Sequence, residues 1–107
     1  MPEHEGVYQV IVSKRAAQQL VEHAAFAAGL EERLGYQLIE DFRSAADSLQ
    51  RFPYRNPILR SEVFTAEKYR KMVFDKWHLL IYQVKDDKVY IEYVVDGRQD
   101  YQWLLTP

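Results

Sequence analysis

Three apolar runs follow one another between Tyr69 and Val95, separated by short polar breaks. They read Tyr69-Arg70-Lys71-Met72-Val73-Phe74, Trp77-His78-Leu79-Leu80-Ile81-Tyr82-Gln83-Val84 and Val89-Tyr90-Ile91-Glu92-Tyr93-Val94-Val95. β-Branched and aromatic residues dominate each run, the pattern of an antiparallel meander. A two-residue hairpin centred on Asp86-Asp87 pairs Val84 with Val89, Tyr82 with Ile91 and Leu80 with Tyr93. Side chains alternate between faces along a strand, so these six residues and Val95 share one apolar face, the expected core face. A matching turn at Asp75-Lys76 sets Phe74 against Trp77, Met72 against Leu79 and Arg70 against Ile81, all on the opposite face. Gly97 closes the last strand, and a short helical turn is expected after it.

Upstream the period lengthens from that of a strand to that of a helix. Residues 6–12 read as a first strand, and Ser13 is a good helix N-cap. Ala17, Leu20, Val21, Ala24, Ala27 and Ala28 fall on one helical face, and Gly29 is the natural stop. A second helix spans about residues 30 to 52, with Leu34, Leu38, Phe42, Ala45, Leu49 and Phe52 as its apolar stripe. Glu31 and Glu32 in its first turn and Arg51 in its last suit the helix dipole. Gly35 weakens this helix by about 1 kcal/mol relative to alanine without breaking it, and Pro53 ends it. Residues 52–57 form a rigid loop with two prolines, Pro53 and Pro57. Residues 58–65 read as a short strand or an irregular connection. The predicted class is α+β: an N-terminal strand, a two-helix hairpin, then an antiparallel meander of three or four strands with a short C-terminal helix. The expected core between helices and sheet is Leu20, Val21, Leu38, Phe42, Leu49, Leu80, Tyr82, Ile91 and Tyr93.

Size and composition fit this picture. The 107 residues suffice for one domain with one core. No apolar run approaches a membrane span, the N-terminus lacks the apolar stretch of a secretory signal, and there is no cysteine. A cytoplasmic protein without membrane contact is expected. The net charge of −2 does not predict a general nucleic-acid binder, but the charge is unevenly placed. Residues 1–50 carry four Lys and Arg against eight Asp and Glu, whereas residues 51–76 carry seven against three. The basic stretch contains Arg60, Lys68, Arg70 and Lys71 and suggests one anionic partner surface; a solvated strand edge would carry the same residues. His4, His23 and His78 are too scattered for a metal site. No metal or cofactor is expected.

The element order, with Phe52-Pro53 after the second helix, Tyr69-Arg70 opening the meander and Tyr82-Gln83-Val84 before an acidic turn, resembles the RelE/ParE superfamily of type II toxin–antitoxin toxins. Asp96-Gly97-Arg98-Gln99-Asp100-Tyr101 with Leu104-Leu105 is similar to the ending common in the ParE branch, and the resemblance covers residues 7 to 105. It implies a single RelE/ParE-like toxin domain over residues 1–107 and a cognate antitoxin as partner, in a homodimer or a hetero-oligomer with that antitoxin. It also implies one of two targets: DNA gyrase, associated with the ParE branch, or mRNA on the ribosome, cleaved by the RelE branch. A member without toxicity, acting only as an antitoxin partner or regulator, is a third reading.

RNA cleavage needs a deprotonated 2′-hydroxyl, an offset phosphate charge and a protonated leaving oxygen. Of the basic positions that the RelE branch uses, the first matches Arg70, but the second falls on Met72 and the third on Leu79. Arg98 matches the next only loosely, and the terminal tyrosine falls near Leu105, with Tyr101 coming early. Arg70, Arg98 and Tyr101 are therefore the catalytic candidates, and no complete catalytic set is legible. For target binding the expected residues are Arg60, Lys68, Arg70, Lys71, Arg98 and Tyr101. For the antitoxin they are Met72, Phe74, Trp77, Leu79 and Ile81, an apolar patch of the kind that marks partner sites, unless Trp103, Leu104 and Leu105 fold back over it.

Overall fold

The computed structural model describes residues 7–60, 68–99 and 101. Its elements are β1 (Gln9–Val12), α1 (Lys14–Leu30), α2 (Glu32–Ser48), β2 (Arg70–Phe74), β3 (His78–Lys85) and β4 (Lys88–Asp96). The sheet order is β1-β4-β3-β2, with β1 parallel to β4 and the other pairs antiparallel. The helices cover one face, giving the predicted α+β layers. Residues 58–65 lie partly outside the described residues; within them Ile58 bridges Arg70, and Leu59 donates its N–H to Tyr69 O at 2.7 Å. The expected C-terminal helix and the cover by Trp103, Leu104 and Leu105 fall outside the described residues.

Ser13 caps α1 as expected, its Oγ accepting from the Ala16 N–H at 3.0 Å. The helix runs past Gly29. The chain reverses at Glu31 alone, in extended conformation (φ −159°, ψ 125°), so the turn needs no left-handed glycine. Gly35 is required instead: a Cβ there would lie 2.9 Å from both Ala24 O and Ala28 Cβ. The two helices meet through these small residues. This uses up part of the predicted alanine face, and the sheet-facing stripe of α1 is Ala16 and Leu20, flanked by Ala24 and Ala27. Val21, expected in the core, is 58% exposed. On α2, Leu38, Phe42 and Ala45 are buried, as is Leu49 just beyond it, while Phe52 lies past the helix end and is exposed.

The β3–β4 hairpin has the predicted two-residue turn, with Asp86 at φ 58°, and pairs Val84 with Val89 and Tyr82 with Ile91. Beyond that the register shifts. Ile81 pairs with Tyr93 and Leu80 with Val94, so Glu92 is an extra, bulged residue. Its carbonyl accepts from Ser13 Oγ at 3.3 Å and from Arg15 Nε at 3.2 Å. Gln19 Oε1 accepts from the Val94 N–H at 2.8 Å. Side chains at the start of α1 thus satisfy backbone groups around the bulge. In consequence Val94 takes the place expected for Tyr93 in the helix-facing core. Tyr93 and Val95 turn to the far face, with Leu79, Ile81, Leu59 and Tyr69.

The β2–β3 connection also differs from the expected two-residue turn. It has three residues, Asp75 to Trp77, with Asp75 at φ 47° and Lys76 at φ 72°, and it pairs Phe74 with His78, Met72 with Leu80 and Arg70 with Tyr82. One added residue moves every β2 side chain to the other face. Phe74 is buried in the helix-facing core with Met72 packed against it, and neither can form the far-face patch expected of them.

Candidate functional site

The three-residue turn throws Trp77 out at a corner of the sheet. The Trp77 N–H donates to Asp75 O, and the Gly97 N–H donates to Trp77 O, both at 2.8 Å. A Cβ on Gly97 would sit 2.7 Å from Trp77 O, so only glycine lets the end of β4 approach this turn. Arg98 then folds back. Its Nε and Nη2 donate to the Asp96 carboxylate at 3.1 and 2.8 Å, its backbone N–H donates to the same group at 2.9 Å, and its guanidinium lies 4.0 Å over the Trp77 ring. These hydrogen bonds from Arg98 hold the Asp96 carboxyl down at about 2, against the opposing effect of burial. Below Trp77, the His78 ring stacks at 6.5 Å and meets the His23 ring of α1 edge-on at 5.1 Å.

The other expected site residues do not gather here. Arg70 sits at the far end of β2, four residues from Phe74 and so roughly 13 Å along the strand. Its Nη1 donates to Asn56 O at 2.7 Å and Tyr54 O at 3.3 Å, and its guanidinium stands 5.1 Å from the Tyr54 ring. Arg70 therefore fastens the proline loop to the sheet. Tyr82 assists by donating to Pro53 O at 2.6 Å and accepting from Asn56 Nδ2 at 3.2 Å. Arg60 and Lys68 are exposed at either end of the undescribed stretch, with the Lys68 amine 5.1 Å over the Tyr69 ring. Lys71 is half-buried on the far face opposite Ile81. Tyr101 is half-buried against the far-face cluster, and burial pushes its phenol above the ordinary value.

The antitoxin patch expected on the far face is likewise reduced. Leu79 and Ile81 lie there but are 7% and 0% exposed, covered in part by Leu59, Tyr69 and Tyr101. What stays open is Trp77 at 39% and Val73 at 58%. Val73 was missed because the two-residue turn put it on the core face. A second apolar surface lies outside the helical hairpin, a concavity of about 350 Å³ lined by Val21, Ala25, Ala28, Tyr36 and Ile39. Phe26 and Leu30 of the same hairpin are 73% and 70% exposed. Val21, expected in the core, lies on this surface instead.

Arg70 and Met72 face the helices, Leu79 and Tyr101 belong to the far side, and Arg98 is clamped to Asp96. These groups do not converge on one point where a phosphate could sit. Among the described residues, no group of three or more His, Asp or Glu side chains could hold a metal ion, and no helix is long and apolar enough to cross a membrane.

Comparison with known proteins agrees with this architecture. A solved structure described as the chromosomal ParDE TA system from P. aeruginosa superposes with a TM-score of 0.71 at 16% identity, covering 88% of this chain and 98% of that one. No curated protein matches the chain. Residues 10–101 match the family described as ParE toxin of type II toxin-antitoxin system, parDE. The match takes in β1, the helical hairpin, the meander and the Trp77–Arg98 corner, and by it the chain belongs to the ParE toxin family.

Proposed function

We propose that this chain inhibits growth by binding a protein target, DNA gyrase, through the Trp77–Arg98 corner and the adjoining Lys71 and Val73. A cognate antitoxin would neutralise it by covering that corner, with the apolar groove of the helical hairpin as a second anchor. The observation that carries this reading is the scattering of the cleavage positions: Arg70 is bound to loop carbonyls, Met72 packs on the core and Leu79 is buried. Among the described residues, these positions form no acid–base set on one surface. The corner, by contrast, presents an exposed aromatic ring beneath a guanidinium, the residue types that anchor protein interfaces. Family membership and the ParDE likeness support an antitoxin partner.

The test is induced expression in a bacterial host, alone and with the protein encoded by the adjacent reading frame. Growth arrest, relief by that protein, and loss of arrest in a folded Trp77→Ala variant are expected. Ribosome-dependent cuts in mRNA during the arrest would instead indicate a RelE-like nuclease. Normal growth at high expression would indicate a non-toxic partner protein.

A further inference from the structure

Two histidines distant in sequence meet where α1 crosses the end of the sheet. His23 is half-buried on α1, and its ring stands at 77° to that of His78 with 5.1 Å between centroids. His78 is 8% exposed, and its Nδ1 is a buried atom without a hydrogen-bond partner. Asp75 Oδ2 is near it, at 3.6 Å, beyond hydrogen-bonding distance. On its other sides His78 touches the Phe74 ring at 5.7 Å and the Trp77 ring at 6.5 Å. The pair therefore joins α1 to the turn that carries Trp77.

Charged groups act on the pair directly or through a neighbour: Glu22 and Asp96 on His23, Asp75 and Asp96 on His78, with Asp41 and Lys76 beside Asp75 and Arg98 on Asp96. Asp96 is already engaged by Arg98. The Asp75 carboxyl is pushed up by burial and by Asp41, and is drawn down by His78. One proton on the pair is thus offset by Asp75 and Asp96. A second would place two imidazolium rings against each other in a partly dehydrated contact.

We propose that the His23–His78 contact is a proton-sensitive seam: it is closed while at most one ring is charged, and the second proton opens it, freeing the turn that carries Trp77 from its contact with α1 through His78. Burial first, and His78 second, lower the His23 value below its ordinary 6.5. A group depressed in the closed form favours that form above 6.5, and the advantage is lost as pH falls toward the depressed value. The open form, with an ordinary imidazole, therefore gains population as pH falls from 6.5 toward the depressed value, by at most about tenfold per pH unit. The seam would act on the corner whichever partner it meets.

The test uses the Trp103→Phe variant, which leaves Trp77 as the only tryptophan of the two in the sequence. Trp77 emission, amide exchange at Trp77 and Gly97 corrected for intrinsic rates, and far-ultraviolet circular dichroism are followed from pH 7.5 to 5.0. Protection at both amides should fall as pH drops below 6.5, by at most about tenfold per pH unit, with a change in Trp77 emission and constant dichroism. Both responses should vanish in His23→Phe, which keeps an aromatic edge against His78; His23→Gln replaces it if the phenylalanine variant does not fold. Protection and emission that ignore pH would overturn the proposal. So would an equal response in the His23 variant, or loss of dichroism in the same step.

Discussion

Asp96 and Arg98 set the acid behaviour of the corner. The Asp96 carboxyl, held at about 2 chiefly by the Arg98 side chain, sits below its ordinary 3.8. A depressed carboxyl contributes stability that is present above 3.8 and lost as pH falls toward 2. Arg98→Gln removes the cause. In urea titrations its deficit relative to wild type should be present at pH 6 and shrink toward pH 2. The deficit should be small, because the Arg98 side chain is 58% exposed and solvent screens the pair. A constant deficit at all pH values would show that Arg98 acts through packing on Trp77 instead. Tyr82 stands on firmer energetic ground, since its ring is fully buried. Tyr82→Phe leaves Pro53 O and Asn56 Nδ2 without their partner and should cost roughly 1–3 kcal/mol, read from the urea midpoint. The sequence showed Tyr82 as a core residue but not the function of its hydroxyl, because the accepting carbonyl lies 29 positions away in a proline loop.

Among the elements, the helical hairpin and the meander were legible to different depths. Helix periodicity located both helices, yet it did not fix the phase of an alanine-rich face, where several azimuths look equally apolar. Close approach at Gly35 settles that phase. Gly35→Ala should gain about 1 kcal/mol in helix propensity. The added Cβ would meet a backbone oxygen at 2.9 Å, and separating the helices should cost roughly 1–3 kcal/mol. Net destabilisation in urea unfolding is therefore expected; net stabilisation would mean that the helices part freely. In the meander, alternation identified the strands, but single-residue features decided their faces. The third turn residue, Trp77, moved Met72 and Phe74 inward, and the bulge at Glu92 moved Tyr93 and Val95 outward. A glutamate amid apolar residues was the visible sign of the bulge. Its reason, the polar start of α1 meeting the β4 backbone, is a tertiary contact that no local pattern records.

At the scale of the molecule, element order and the Gly97-Arg98 ending were enough to place the chain in its superfamily, because they depend on connectivity rather than register. The site was less legible. The match to the cleavage positions of the RelE branch grouped Arg70 with Arg98, but the fold sets them at opposite ends of β2 and gives Arg70 to the proline loop. Arg98 came to Trp77 only through the close contact at Gly97. The functional account thus rests on one exposed corner acting by contact. Its most direct test is a DNA gyrase supercoiling assay with the purified wild-type chain and a folded Trp77→Ala, Arg98→Ala double variant. The account predicts inhibition by the wild type and at least about tenfold weaker inhibition by the variant, the loss of roughly 1.4 kcal/mol or more of contact energy. Supercoiling unaffected by the wild-type chain, or inhibited equally by the variant, would contradict it.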